Sequence, residues 1–88
     1  MPWFVKIEAG IVDQPTFDRH VAEHKTYVRE LIAKGHQART GYWATRGGGM
    51  MLFSAASMDE AKAIVAQDPL VQNGCVNYQL YEWRLVVE

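Results

Sequence analysis

The chain has 88 residues, nearly half of them hydrophobic, and its nine basic and ten acidic side chains give a net charge of −1. This length predicts a single domain with a modest core, and the composition is too apolar for a disordered protein. The net charge lacks the excess of basic residues that a nucleic-acid-binding protein needs. The single cysteine, Cys75, excludes an internal disulfide framework.

The first half of the chain predicts a strand followed by a long helix. The segment WFVKIEA, residues 3–9, alternates in a way that predicts a strand with one face well buried. The apolar members of that face are Val5, Ile7 and Ala9. Pro15 suits the first turn of a helix, and apolar residues then recur at spacings of three and four over residues 16–34. Gly35 ends this amphipathic helix.

The second half predicts three strands and one helix. HQARTGYWA, residues 36–44, indicates a second strand, and TRGGG, residues 45–49, a flexible hairpin connection. MMLFSAA, residues 50–56, predicts a third strand that is apolar on both faces. SMDE forms a capping box at the start of a helix over residues 57–67. VNYQLYEW, residues 76–83, completes the pattern as a fourth strand.

The order of these elements predicts an α+β fold of the ferredoxin-like type. A β-α-β-β-α-β chain forms an antiparallel sheet with both helices on one face. The other face is then uncovered and apolar, which is unfavourable for a monomer and favours a homodimer that packs sheet to sheet. The residues expected to line it are Met50 or Met51, Phe53, Tyr78 or Gln79, and Trp83.

An unusual carboxylate follows the second helix, in the stretch IVAQDPLVQ. Asp68 continues the apolar stripe of that helix, and Pro69 places it at or just past the helix end, where the dipole disfavours a negative charge. His24 lies on the apolar stripe of the first helix. If the two side chains meet, they form a plausible proton-transfer couple near neutral pH. The alternative is structural: Asp68 caps backbone amides, and His24 is a hydrogen-bonded core histidine.

Ser54 is a third candidate for the site, because it lies late in an apolar strand, where a hydroxyl needs a partner. It could hold a substrate hydroxyl or orient the His24–Asp68 pair, or it could bond to nearby backbone. Aromatic side chains could wall a pocket for an aromatic ligand, or belong to the core and an interface. They are Tyr27, Tyr42, Trp43 and Tyr81.

Three motifs do not support a metal, phosphate or thiol site. HVAEH, residues 20–24, matches the H-x-x-E-H pattern of zinc peptidases, but the chain is too short for a third ligand and a substrate cleft. RGGG, residues 46–49, lacks the Lys-Ser/Thr of a phosphate-binding loop. Cys75 follows a turn, and nothing around it lowers a thiol pKa. We therefore expect no metal and no cofactor.

Several short motifs together resemble the YCII-related family of small dimeric α+β barrel proteins. They are the opening FVKIEAG strand, HKTYV at residues 24–28, GGGMMLFSA, SMDEA, and the Asp68-Pro69 dipeptide. The resemblance implies that His24 and Asp68 are an active-site pair. It also implies chemistry on aromatic compounds, because one family member removes chloride from a chlorinated hydroxyhydroquinone.

The sequence and this resemblance together predict a cofactor-independent acid–base enzyme, a dehydrochlorinase-like lyase acting on a small oxygenated aromatic. His24 would take a proton from a ring hydroxyl, Asp68 would orient and stabilise His24 or relay a proton, and Ser54 would anchor an oxygen. The alternatives are a muconolactone-isomerase-like isomerase and a non-catalytic ligand-binding or assembly domain. With no signal peptide or membrane span in the sequence, we expect a cytoplasmic protein that contacts neither membrane nor nucleic acid.

Overall fold

The computed structural model describes residues 1–45 and 47–88, and within them it contains four strands and three helices. In chain order these are β1 (Trp3–Gly10), α1 (Gln14–Ala33), β2 (Arg39–Tyr42), β3 (Gly48–Ser54), α2 (Met58–Ala66), α3 (Pro69–Gln72) and β4 (Val76–Trp83). The strands form one antiparallel sheet in the order β2-β3-β1-β4. The predicted ferredoxin-like order is confirmed. The predicted hairpin connection includes Arg46, which lies outside the described residues.

Local signals set the ends of α1. The Asp13 side chain accepts a hydrogen bond from the Thr16 amide at 2.9 Å and so caps the first turn. At the other end, the His36 amide donates to the Leu31 carbonyl at 3.0 Å, and Gly35 adopts a φ of 90°. That is a Schellman ending, which requires a left-handed residue and so favours glycine. The helix buries His24 on the same face as Val28 and Leu31, toward the sheet.

Ser57 is the N-cap of α2, as predicted, but the Glu60 side chain accepts from the Ala56 amide at 2.7 Å instead of the Ser57 amide of a full capping box. The Ser57 side chain accepts from the Glu60 amide at 3.2 Å. The chain after this helix also contains an element that the sequence did not predict. After α2, Pro69–Gln72 forms the single turn α3, and Asp68 is its N-cap. Four residues are too few to show a helical period in the sequence, so the pattern did not reveal α3.

The helix-covered face of the sheet corrects two predictions. Phe4, Met51 and Phe53 are completely buried there, with the rings of Phe4 and Phe53 stacked at 5.9 Å between centroids. Phe53 was expected on the open face. In β1, the covered residues are Phe4, Lys6 and Glu8. The expected face of Val5, Ile7 and Ala9 points the other way, because the sequence argument assigned the charged side chains to solvent.

The open face of the sheet is apolar, and Trp83 lies on it as predicted. A shallow groove of about 400 Å³ crosses this face. Its lining residues come from the three strands β1, β3 and β4, and are Val5, Ile7, Met50, Leu52, Tyr81 and Trp83. Within residues 1–45 and 47–88, no helix has the length and apolar character needed to cross a membrane.

Candidate active site

His24 and Asp68 meet beneath α1, as the shared apolar stripes predicted. His24 Nδ1 lies 2.9 Å from both carboxylate oxygens of Asp68. Asp68 is completely buried, and His24 is 7% exposed. Because an ionised carboxylate can only accept hydrogen bonds, Nδ1 carries the proton and donates it to Asp68. The other ring nitrogen, Nε2, is then the atom of His24 that remains able to exchange a proton with a ligand.

The Nε2 atom of His24 faces the edge of the sheet. It lies 3.2 Å from the hydroxyl oxygen of Thr40, which belongs to the exposed edge strand β2. The same hydroxyl also lies within 3.5 Å of the Met50 carbonyl, a long contact. A hydroxyl can donate or accept, so Thr40 can accommodate either protonation state of the imidazole. A small ligand at this edge would compete with Thr40 for Nε2.

Lys6 completes the buried cluster, and the sequence pattern did not predict it. Lys6 has no solvent exposure. Its Nζ lies 2.9 Å from Asp68 Oδ2 and 2.8 Å from Glu8 Oε1, so one ammonium bridges two carboxylates. The signal that could have revealed it is the alternation of Lys6 and Glu8 with the aromatic Phe4 in β1, which places all three on one face.

The surroundings of Asp68 keep its carboxyl group ionised. Burial by itself would raise the pKa of Asp68, but the hydrogen bond from His24 and the charge of Lys6 outweigh this effect and hold the pKa below its usual value of 3.8. The Leu70 amide donates to Oδ1 at 3.0 Å as well. Asp68 follows the C-terminal end of α2, where the helix dipole disfavours a negative charge. Hydrogen bonds from two side chains and one backbone amide offset this cost.

Ser54 lies apart from this pair. In the register of β3 it follows Met50 and Leu52 on the open-face side, opposite Trp3. It is buried, and its hydroxyl donates to the His36 carbonyl at 3.0 Å. Ser54 therefore does not orient the His24–Asp68 pair. Its hydrogen bond to neighbouring backbone is the alternative that the sequence had left open.

The four aromatic candidates do not form one pocket around the pair. The Tyr27 hydroxyl donates to the Ile64 carbonyl at 2.7 Å, and burial, with the charges of Asp68 and Glu30, raises the pKa of Tyr27 to about 12. Tyr42 is 88% exposed on β2, on the same side of that strand as Thr40. Tyr81 lines the groove on the opposite face, and Trp43 is partly exposed beyond β2.

The H-x-x-E-H motif and the cysteine have ordinary surroundings. His20 Nδ1 lies 3.3 Å from Glu23 Oε1 on the exposed side of α1. Across the described ranges, no three histidine, cysteine or acidic side chains come together in a way that could hold a metal ion. Cys75 is buried, and burial together with the charge of Glu23 raises the pKa of its thiol, which disfavours the reactive thiolate.

Comparison with known proteins gives three similarities. The profile of the YCII-related domain matches residues 4–84. An uncharacterized protein, YjpA from Bacillus subtilis (strain 168), is 33% identical over 66 residues, covering 75% of this chain and 78% of that protein. The solved structure of 5-chloro-2-hydroxyhydroquinone dehydrochlorinase (TftG) from Burkholderia phenoliruptrix AC1100, in complex with 2,5-dihydroxybenzoquinone, has a TM-score of 0.75, 20% identity, and 93% coverage of both chains. At that identity, the structural likeness establishes the fold.

Proposed function

Because the chain belongs to the YCII-related domain family, we propose that it is a small-molecule enzyme in which His24 transfers protons. Asp68 orients His24 and stabilises its protonated form. The observation that carries the proposal is the hydrogen bond from His24 Nδ1 to a buried, ionised Asp68. This bond fixes the tautomer and the ring plane, and leaves Nε2 as the reactive atom at the sheet edge. A histidine oriented in this way by a carboxylate is suited to general acid–base catalysis.

We further propose that the substrate is an oxygenated aromatic, and specifically a chlorinated hydroxyhydroquinone. The support is the likeness in fold to a dehydrochlorinase of that substrate, together with a site that offers proton transfer as its chemistry. The ring of such a substrate would lie against the edge strand β2, with one hydroxyl at His24 Nε2 in place of Thr40. Tyr42, on the same side of β2, offers an exposed aromatic face for stacking.

In the proposed reaction, His24 Nε2 takes a proton from one ring hydroxyl, and the electron-rich ring is then protonated at the carbon that carries chlorine. Loss of the proton from a second hydroxyl forms the second carbonyl and expels chloride from that carbon. The products are a hydroxybenzoquinone and HCl. The two carbons whose hydroxyls become carbonyls are oxidised, while the chlorine-bearing carbon is reduced to C–H. The reaction therefore consumes no external oxidant and needs no cofactor.

The test is chloride release from an air-protected chlorinated hydroxyhydroquinone in buffer containing EDTA. His24→Gln and Asp68→Asn should each lower turnover by about 10²-fold or more, which is the usual scale for a positioned acid or base. His20→Gln is the matched control, because it removes a histidine one turn earlier on the same helix. Full turnover per folded molecule in His24→Gln would exclude the proposal and leave a structural role for the pair.

We also propose that the protein is a homodimer formed through the open face of the sheet. Tyr81 and Trp83 are each about half exposed there, beside Ile7 at 39%. Exposed aromatic and aliphatic side chains in one continuous groove are typical of an interface and costly to leave in water. A second copy of the same sheet would cover them with a matching apolar surface.

A further inference from the structure

Lys6 is a buried charged group that the proposed reaction does not use. It lies in the central part of the sheet, on strand β1 between β3 and β4, and its side chain has no solvent exposure. Burying an ammonium is costly, and replacing a buried ion pair with apolar side chains is often neutral or stabilising. The fold alone therefore does not require a lysine in this position.

We propose that Lys6 is a positioning residue of the active site, which fixes the Asp68 carboxylate so that His24 keeps its reactive orientation. This inference rests on the proposed function. The ammonium contacts Asp68 Oδ2 at 2.9 Å, while His24 Nδ1 lies 2.9 Å from both oxygens. The Leu70 amide contacts Oδ1. The carboxylate is thus held from three directions, by β1, α1 and the start of α3.

The rigidity of this arrangement depends on where each donor comes from. His24 and Leu70 alone would leave Oδ2 bonded only to the imidazole, so rotation of the carboxylate and of the ring would be coupled and easy. Lys6 belongs to a strand that is paired on both sides, and it fixes Oδ2 independently of the helices. Its charge also favours the ionised form of Asp68, and that form is the one that accepts the proton of Nδ1.

Glu8 provides a natural control. It forms a salt bridge with Lys6, with 2.8 Å between Nζ and Oε1, and within the described residues no hydrogen bond joins it to Asp68 or His24. The neighbouring elements carry further titratable side chains. Tyr27 on α1 interacts with the charge of Asp68, Tyr42 on β2 lies in the cross-strand row of Glu8, and Tyr78 and Glu82 on β4 lie opposite Glu8 and Phe4. The residues of β3 that face the helices, Met51 and Phe53, are apolar.

The experiment compares Lys6→Met, Lys6→Arg and Glu8→Gln by ¹⁵N NMR of the histidine rings over a pH series, and by the pH profile of kcat/KM. In Lys6→Met, the proton shared by the coupled His24–Asp68 pair should be bound at a higher pH, because a neighbouring cation is gone. The acid limb of the profile should move with it, and kcat should fall by about 10- to 100-fold as orientation is lost. Lys6→Arg keeps the charge and should restore both the midpoint and part of kcat.

The double variant Lys6→Met/Glu8→Gln controls for any instability of Lys6→Met, because it removes one charge of each sign and leaves His24 paired with Asp68. Compared with Glu8→Gln alone, the double variant should show the same rise in the proton-binding midpoint and the same loss of kcat as Lys6→Met shows against the wild type. An unchanged proton-binding midpoint with normal kcat in this folded variant would overturn the proposal. If the wild-type protein turns over no substrate, the proposed function fails, while the NMR series still decides whether Lys6 sets the state of the pair.

Discussion

The buried ion pair between Lys6 and Asp68 allows its own stability contribution to be measured. Asp68→Asn keeps the shape of the side chain, and its remaining oxygen can still cap the Leu70 amide. It removes the negative charge that Lys6 and His24 contact. Lys6→Met removes the ammonium and keeps a flexible apolar stem of similar length. The two single variants and the double variant form a double-mutant cycle on one contact of 2.9 Å.

The structure sets the scale of the expected effects. Both partners are completely buried, and removing one partner of such a pair costs about 3–5 kcal/mol. We expect the lower end, about 3 kcal/mol for each single variant, since Glu8 remains for Lys6 and His24 remains for Asp68. A domain of this size is stable by about 4–13 kcal/mol, so either change removes a large part of its stability. The double variant should cost little more than one single, giving a coupling of about 2–3 kcal/mol.

The assay is urea unfolding at neutral pH and fixed protein concentration, followed by tryptophan fluorescence, with m-values compared among the four proteins. A second cycle on Glu82 and Arg84 is the control. That pair lies 3.1 Å apart with Arg84 almost fully exposed, and its coupling should be below about 1 kcal/mol. A coupling below about 0.5 kcal/mol for Lys6 and Asp68 would refute the view that the buried charges stabilise each other.

The remaining predictions concern pH, the core and assembly. Because the folded pKa of Asp68 is lowered, its ionised form stabilises the fold fully above the unfolded pKa of about 3.9, and this stabilisation is lost as pH falls through the folded pKa. Acid should therefore lower the melting temperature of the wild type more than that of Asp68→Asn. Phe53→Ala should cost about 3–5 kcal/mol in urea unfolding, against about 0.5 kcal/mol or less for the exposed Tyr42→Ala; equal costs would contradict the core assignment. The wild type should sediment at twice the mass of one chain, and Leu52→Glu at the mass of one chain with an unchanged circular dichroism spectrum; a wild-type monomer at micromolar concentration would exclude the dimer.

The order of the elements could be predicted because the signals at their ends are local. The N-cap at Ser57 and the glycine ending at Gly35 depend on a few neighbouring residues, and the structure has both. The facing of the strands depends on tertiary structure, and there the sequence was a poor guide. Strand β3 is apolar in both parities, so Phe53 was assigned to the open face although it packs in the core.

The candidate site was predictable in part for the same reason. His24 and Asp68 continue apolar helical stripes, and a polar residue in such a stripe needs a partner on the buried side. The shared stripes thus predicted the pair, and the hydrogen bonds confirm the contact. Lys6 lies in a strand, where a charged residue alternating with apolar ones is normally assigned to solvent. This rule assigned the wrong face of β1 to the core, so Lys6 was not predicted to be buried.

The electrostatics of Asp68 point toward Lys6. A fully buried carboxylate needs more than one neutral imidazole to remain ionised, because desolvation strongly favours its protonated form. Predicting Asp68 to be buried therefore favoured a further donor or cation near it, and the covered face of the sheet is one place where such a group can lie. The four predicted strands contain two lysine or arginine residues, Lys6 and Arg39. Lys6 shares its parity with Phe4, which packs in the core. A buried acid predicted from a helix pattern can in this way determine which face of a neighbouring strand is inside.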